Sequence, residues 1–258
     1  MPDKGTKKKV IVVGAGEVPA ATTPKEERVF VASPESKKKA KSLRVFAILS
    51  WIVAIALEVG AIILLGKPPV KTLWLIVLIV ADLIFAVLGS VLWKKANRFD
   101  PASKKDKVKF FVQNQLGAII SLIAFLPLVI LIFTNKEMNG KQKGLVGGIA
   151  VVALVIAALM GIDFNPPSQE QYAEQTAQVE SLTGANHVFW TKSGTHYHIY
   201  SDCYHINTDR TEEIFSGTVA QARELKNITE LCQTCANRAE KEKLLNTETT
   251  TKVPEENQ

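Results

Sequence analysis

All three cysteines and three of the four histidines of this 258-residue chain lie in its last quarter. His196, His198, Cys203 and His205 fall within GTHYHIYSDCYHI (194–206), and Cys232 and Cys235 form the Cys-x-x-Cys of ELCQTCANR. A structural zinc site takes four ligands, thiolates and imidazoles by preference, and a Cys-x-x-Cys lets both sulfurs reach one ion. An odd cysteine count leaves one thiol over from any set of disulfides, and a cytosolic setting disfavours disulfides altogether. Cys203, Cys232 and Cys235 therefore supply three zinc ligands, and a histidine must complete the set. His198, five residues before Cys203, stands where a first ligand would come, and His205 is the runner-up. His196 points the same way as His198 but lies farther off, and His187 sits at the domain's edge. The competing chemistries are a redox Cys-x-x-Cys, which lacks the surrounding strand–helix–strand pattern, and buried thiols without a ligand.

The elements that must position these residues are short. HVFWTKSGTHYHIY (187–200) reads as two alternating strands around a Ser193-Gly194 turn. Thr218 and Gln221 form a capping box that opens the helix VAQARELKN. A second helix opens at the Cys-x-x-Cys, where the partial positive charge of a helix N-terminus favours thiolates. Upstream, Pro166 and Pro167 break the chain, and Ser168 with Gln171 reads as another capping box. Tyr172, Thr176, Val179 and Leu182 follow at helical spacing until Gly184 and Asn186. The expected order is an acidic linker helix over 164–186, a small α+β zinc-binding domain over 187–243 and a disordered tail over 244–258.

These residues carry a resemblance. YHIYSDCYHI, followed by GTVAQARELKNITELCQTCANR, resembles a small zinc-binding module of bacterial proteins that is similar to the metal-binding domain of the Ada methyl-phosphotriester repair proteins. The resemblance covers about 187–239 and implies that His198, Cys203, Cys232 and Cys235 are the ligands. Ada proteins carry four cysteines and use the first as methyl acceptor. The matching position here is His198, so the resemblance does not extend to methyl transfer.

Composition places this module behind a membrane region. Four stretches have transmembrane length: 44–66, 72–93, 110–133 and 145–162. About 20 apolar residues suffice to cross roughly 30 Å of hydrocarbon as a helix. Lys and Arg are unevenly shared between the short loops. KKKAKSLR carries five and KKANRFDPASKKDKVK seven, against two in KPPVK and three in TNKEMNGKQKG. That bias puts both termini in the cytosol of a four-helix, multi-pass cell-membrane protein. The fold class expected is thus an α-helical polytopic membrane protein with four transmembrane helices and a small α+β zinc-binding C-terminal domain.

Charge is partitioned along the chain. Residues 1–44 carry 11 basic and 5 acidic side chains, whereas residues 164–258 carry 8 and 14. An acidic zinc domain lacks the basic footprint of nucleic-acid binding. The basic arm, 1–43, is expected to be disordered, with Lys37, Lys38, Lys39, Lys41 and Arg44 against anionic lipid head groups. Its VIVVGAG imitates the opening of a dinucleotide-binding fold. Pro19 and Pro24 follow, however, in place of the third glycine and the phosphate-binding helix that such a fold needs.

Two acids interrupt the apolar stretches. Glu58 and Asp82 both fall roughly 12–15 Å below the outer boundary at 1.5 Å per residue, and antiparallel neighbours would bring them side by side. They are either protonated packing groups or a proton or cation site, for which Gln113, Asn114 or Gln115 offer further ligands. Small residues at Gly60, Gly89, Gly117, Gly147 and Gly148 fit close helix packing, and Pro127 is expected to kink the third span. No nucleophile–base set and no phosphate loop appears. The expected function is a non-enzymatic interaction or regulatory role with a possible protein partner at the zinc module. The alternative is a small ion- or proton-coupled transporter that uses Glu58 and Asp82, with the zinc module as regulator or metal sensor.

Overall fold

The computed structural model describes residues 9–13 and 29–250. It divides into two compact units, one of residues 32–168 and one of residues 1–31 with 169–258. The first is a bundle of four helices, α1 (Pro34–Leu65), α2 (Thr72–Phe99), α3 (Lys107–Thr134) and α4 (Gly140–Gly161). Each is long and apolar enough to cross a membrane.

α1, α3 and α4 start ahead of their apolar stretches, at capping residues outside them, whereas α2 starts with its stretch at Thr72 and runs past it to Phe99. Ser33 caps α1 by accepting from the Ser36 N–H, with Pro34 just inside and Glu35 in the first turn. KKKAKSLR, expected in a disordered arm, is therefore helical, with Lys37, Lys38, Lys39 and Lys41 exposed. Asp106 caps α3, and Asn139 with Gln142 forms a capping box on α4. Pro127 lies inside α3.

The helices bury narrow stripes. Along α1 the buried positions Ala47, Ser50, Trp51, Ala54, Glu58, Ala61 and Leu65 recur every three or four residues. In α2 the stripe runs through Leu75, Ile79, Asp82, Ala86 and Gly89. Ser50 Oγ donates to the Phe85 carbonyl at 2.9 Å and Trp51 Nε1 to the Ala86 carbonyl at 3.3 Å, which fixes the antiparallel register. Gly89 leaves the space that the Trp51 indole fills. Gly161 and Gly117 let α3 and α4 approach closely, since a Cβ on Gly161 would stand 2.5 Å from the Ala118 nitrogen. Ser121 Oγ ties the same pair by donating to the Ala157 carbonyl at 3.1 Å. Large apolar side chains such as Ile52, Trp74, Ile84, Ile123 and Val152 point outward, as a lipid-facing surface requires.

The second unit joins α5 (Gln169–Thr183), α6 (Val219–Lys226) and α7 (Gln233–Thr250) to two small sheets. β4 (Glu213–Gly217) lies between β1 (Lys9–Val12) and β2 (Val188–Trp190). β3 (His196–Tyr197) pairs in parallel with β5 (Glu230–Leu231). Val179, Trp190, Tyr197, Ile214, Val219 and Ile228 pack into one core with the three cysteines.

Several sequence expectations hold at the level of single elements. Thr218 and Gln221 do form the capping box of α6, and Gly184, at φ 76°, ends α5. Asn227 closes α6 in the left-handed conformation. The expected hairpin is shorter than its apolar pattern. β2 and β3 meet through the reciprocal bonds of Phe189 and His198, at 2.6 and 2.7 Å, because β2 gives its ladder to β4 and β3 gives its own to β5.

The arm and the tail differ more. Lys9–Val12 is a strand that pairs in parallel with β4, Lys9 opposite Glu213 and Val12 opposite Ser216. The Val13 N–H extends the ladder to the Ser216 carbonyl at 2.9 Å, and Gln221 Nε2 donates to the Val13 carbonyl at 3.3 Å. The physical reason is plain: KVIV is β-branched, and β4 offers a free edge. At the other end α7 runs to Thr250, past the expected start of the tail. The glycine turn at Gly14 and Gly16 and residues 251–258 lie outside the described residues.

Candidate metal centre

The ligand atoms of His198, Cys203, Cys232 and Cys235 all lie within 4.8 Å of one another, and all four residues are buried. Nδ1 of His198 stands 3.6 Å from Sγ of Cys235. About a tetrahedral ion with metal–sulfur bonds of about 2.3 Å, ligand atoms stand roughly 3.5–3.8 Å apart, so this spacing fits a bound metal.

Each ligand is placed by backbone bonds. His198 is held at the end of the hairpin by its two bonds to Phe189. Cys203 sits in a tight turn, its N–H bonded to the Tyr200 carbonyl and its own carbonyl accepting from Ile206 and Asn207. The Cys232 N–H donates to the Tyr197 carbonyl at 2.9 Å, which ties the Cys-x-x-Cys to the strand carrying the histidine. The Cys232 carbonyl accepts from Ala236 at 3.0 Å, so Cys235 falls in the first turn of α7.

The electrostatics of the cluster are set by burial and by backbone N–H donors. Burial pushes the thiols of Cys203 and Cys235 up, because a thiolate is costly away from water. The backbone N–H of His205 opposes this at Cys203, and those of Tyr200 and Ile199 oppose it at Cys235. These donors point at sulfur and favour the anion. Burial, with the neighbouring His205 and His196, lowers His198 to about 4. Its imidazole is thus neutral at pH 7, the form that binds a metal. Three sulfurs and one neutral nitrogen, buried and already facing N–H donors, can hold a metal ion.

The remaining histidines are set elsewhere. His205, the runner-up, is exposed. Its Nε2 lies 3.2 Å from Thr234 Oγ1, and it stands outside the four-residue cluster. His196 pairs with Glu230 at 3.3 Å. His187 meets Phe189 edge-on.

Two arrangements around the cluster escape a reading of the sequence. Arg238, one turn after Cys235, pairs with Asp202 beside Cys203 at 3.0 Å and with Glu242, and lies over the Tyr200 ring at 4.0 Å. It clasps the Cys203 turn to α7. Of these contacts only Arg238–Glu242 has a local helical spacing, four residues apart. Arg223, buried in the same unit, lies over the Tyr172 ring at 4.5 Å and bonds Gln175. A basic residue in an amphipathic helix gives no sign of such burial.

Glu58 and Asp82 are both buried in the helical bundle, in the stripes where α1 and α2 meet. Gln113, Asn114 and Gln115, named above as helpers, are committed to other partners. Gln113 bonds Asn97 and the Asp100 carbonyl, Asn114 the Phe110 carbonyl and Gln115 the Asp163 carbonyl.

No family model matches this sequence, and neither a curated protein nor a solved structure matches it.

Proposed function

We propose that this is a multi-pass membrane protein whose C-terminal unit is a structural zinc module, and that it serves a non-enzymatic interaction or regulatory role. The observation that carries the reading is the buried His198/Cys203/Cys232/Cys235 cluster in a unit with a small core. Zinc suits three thiolates and an imidazole. In a domain of this size metal binding is also folding energy. His198 is not the nucleophile of an Ada-type methyl acceptor, so the module binds without reacting.

The topology proposed is both termini in the cytosol. The loop charges support the cytosolic side, and the pairing of β1 with β4 supports one side for both. A strand from residues 9–12 and one from 213–217 share a sheet only if they share a compartment. Four crossings, an even number, meet that condition. Exposed Lys37, Lys38, Lys39 and Lys41 would then face the anionic cytosolic leaflet, and the partner of the zinc module would be a cytosolic protein.

Metal analysis of the purified full chain tests the site. About one zinc per chain is expected, and a Cys232→Ser, Cys235→Ser variant should lose it. Undiminished zinc in that variant would remove the assignment. A C-terminal reporter found on the outer face would remove the topology.

A further inference from the structure

Glu58 and Asp82 occupy one level of the bundle. The Trp51 indole fills the space over Gly89. Seven residues on from Trp51 is Glu58, and seven residues back from Gly89 is Asp82. Two turns along antiparallel neighbours bring the acids to matching positions on facing stripes. Both are buried, at 5% and 1% exposure, with Ala54 and Ala61 beside one and Ala86 beside the other.

Three of their four oxygens lack partners, while Glu58 also meets the Leu128 backbone N–H. Oε1 of Glu58 and both carboxylate oxygens of Asp82 are buried without a hydrogen-bond partner among the described residues. A protonated acid that merely glues two helices donates its proton to a neighbouring carbonyl or hydroxyl. Asp82 makes no such bond, while Ser50, Trp51, Ser90 and Ser121 all make theirs. Buried polar atoms left unpaired by protein groups mark a place where a guest can bind.

The guest's charge follows from what surrounds it. The stretches 45–66, 72–93, 110–133 and 145–162 contain no titratable side chain other than these two. The basic groups lie toward the ends of the helices and beyond these stretches, where Arg44 pairs with Asp100 and Lys94 bonds the Ile162 carbonyl. Two acids in apolar surroundings with no countercharge require a cation. A hard divalent ion takes six or more oxygens, and the nearby amide side chains are bonded elsewhere. A proton needs only the carboxylates, and like-charged acids brought together hold one between them.

We propose that Glu58 and Asp82 form a proton-binding pair in the middle of the bundle, which takes up and releases a proton as a unit. This goes beyond the zinc-module reading and does not depend on it.

The test uses the full chain reconstituted in liposomes and dicyclohexylcarbodiimide, a hydrophobic reagent that adds to protonated carboxyl groups in apolar surroundings. Modified peptides are located by mass spectrometry between about pH 5 and about pH 9. The expected result is an adduct on Glu58 or Asp82 that falls at least about fivefold across that range. Asp82→Asn should move the labelling midpoint of Glu58 to lower pH, because a shared proton is held less tightly once the second carboxylate is gone. If that variant does not fold, Glu58→Gln read at Asp82 gives the same information. No adduct at either residue, or a midpoint unmoved by the substitution, overturns the proposal. So does labelling suppressed at fixed pH by sodium chloride and not by choline chloride, which would make the guest a metal cation.

Discussion

Nδ1 of His198 stands 3.6 Å from Sγ of Cys235, across 37 positions of sequence. A strand end and a helix start are brought together there, and the Cys232 N–H bonded to the Tyr197 carbonyl fixes the join. If a metal sits between them, losing either ligand loosens both elements. Cys235→Ser and His198→Ala should each reduce zinc affinity by more than about tenfold. Competition with a chromophoric chelator measures this directly.

His205 gives the opposite expectation. It is exposed and bonded to Thr234. His205→Ala should leave zinc stoichiometry at one and change affinity by no more than about threefold, a small effect beside the loss of a ligand. A large loss in this variant would mean that the fourth ligand had been misassigned.

Arg238 acts through its neighbours. It holds Asp202, next to Cys203, against the helix that carries Cys235. Arg238→Ala should leave metal content intact at saturation but speed metal release by about tenfold, as loss of outer-sphere support does. Arg238→Lys, a point charge without the planar fork, should recover only part of the difference. Stopped-flow release into excess chelator reads both.

Metal removal should be felt in one unit. Chelation is expected to abolish hydrogen-exchange protection across 196–240, since the metal would supply much of that unit's folding energy. Protection in α1 to α4 should persist, because that core is apolar and contains no ligand.

The glycines of the bundle separate into two kinds. A Cβ on Gly161 would meet the backbone of Ala118 at 2.5 Å, whereas one on Gly148 meets nothing within 4 Å. Gly161→Ala should cost about 1–3 kcal/mol through forced separation of α3 and α4. Gly148→Ala should be neutral within a few tenths of a kcal/mol. Thermal unfolding in detergent distinguishes them.

The four long helices were legible because hydrophobic length is a signal that needs no partner. The starts of α1, α3 and α4 were not, since Ser33, Asp106 and Asn139 act through local bonds outside the apolar stretches. Ligand types and the Cys-x-x-Cys spacing pointed to the cluster, and residue chemistry alone left His198 and His205 both open. What separates them is burial, which depends on the hairpin bonds of His198 with Phe189. β1 was illegible for a different reason. Four residues of strand propensity carry no information about a partner some two hundred positions away.

That partnership bears on how the chain is made. Residues 9–12 leave the ribosome before the four apolar helices, and β4 leaves only after them. Throughout insertion β1 is a β-branched segment with no edge to join. It is paired only when Glu213–Gly217 appears. A segment made after the four helices therefore completes the pairing of one made before them, and a chain interrupted after α4 would carry β1 unpaired.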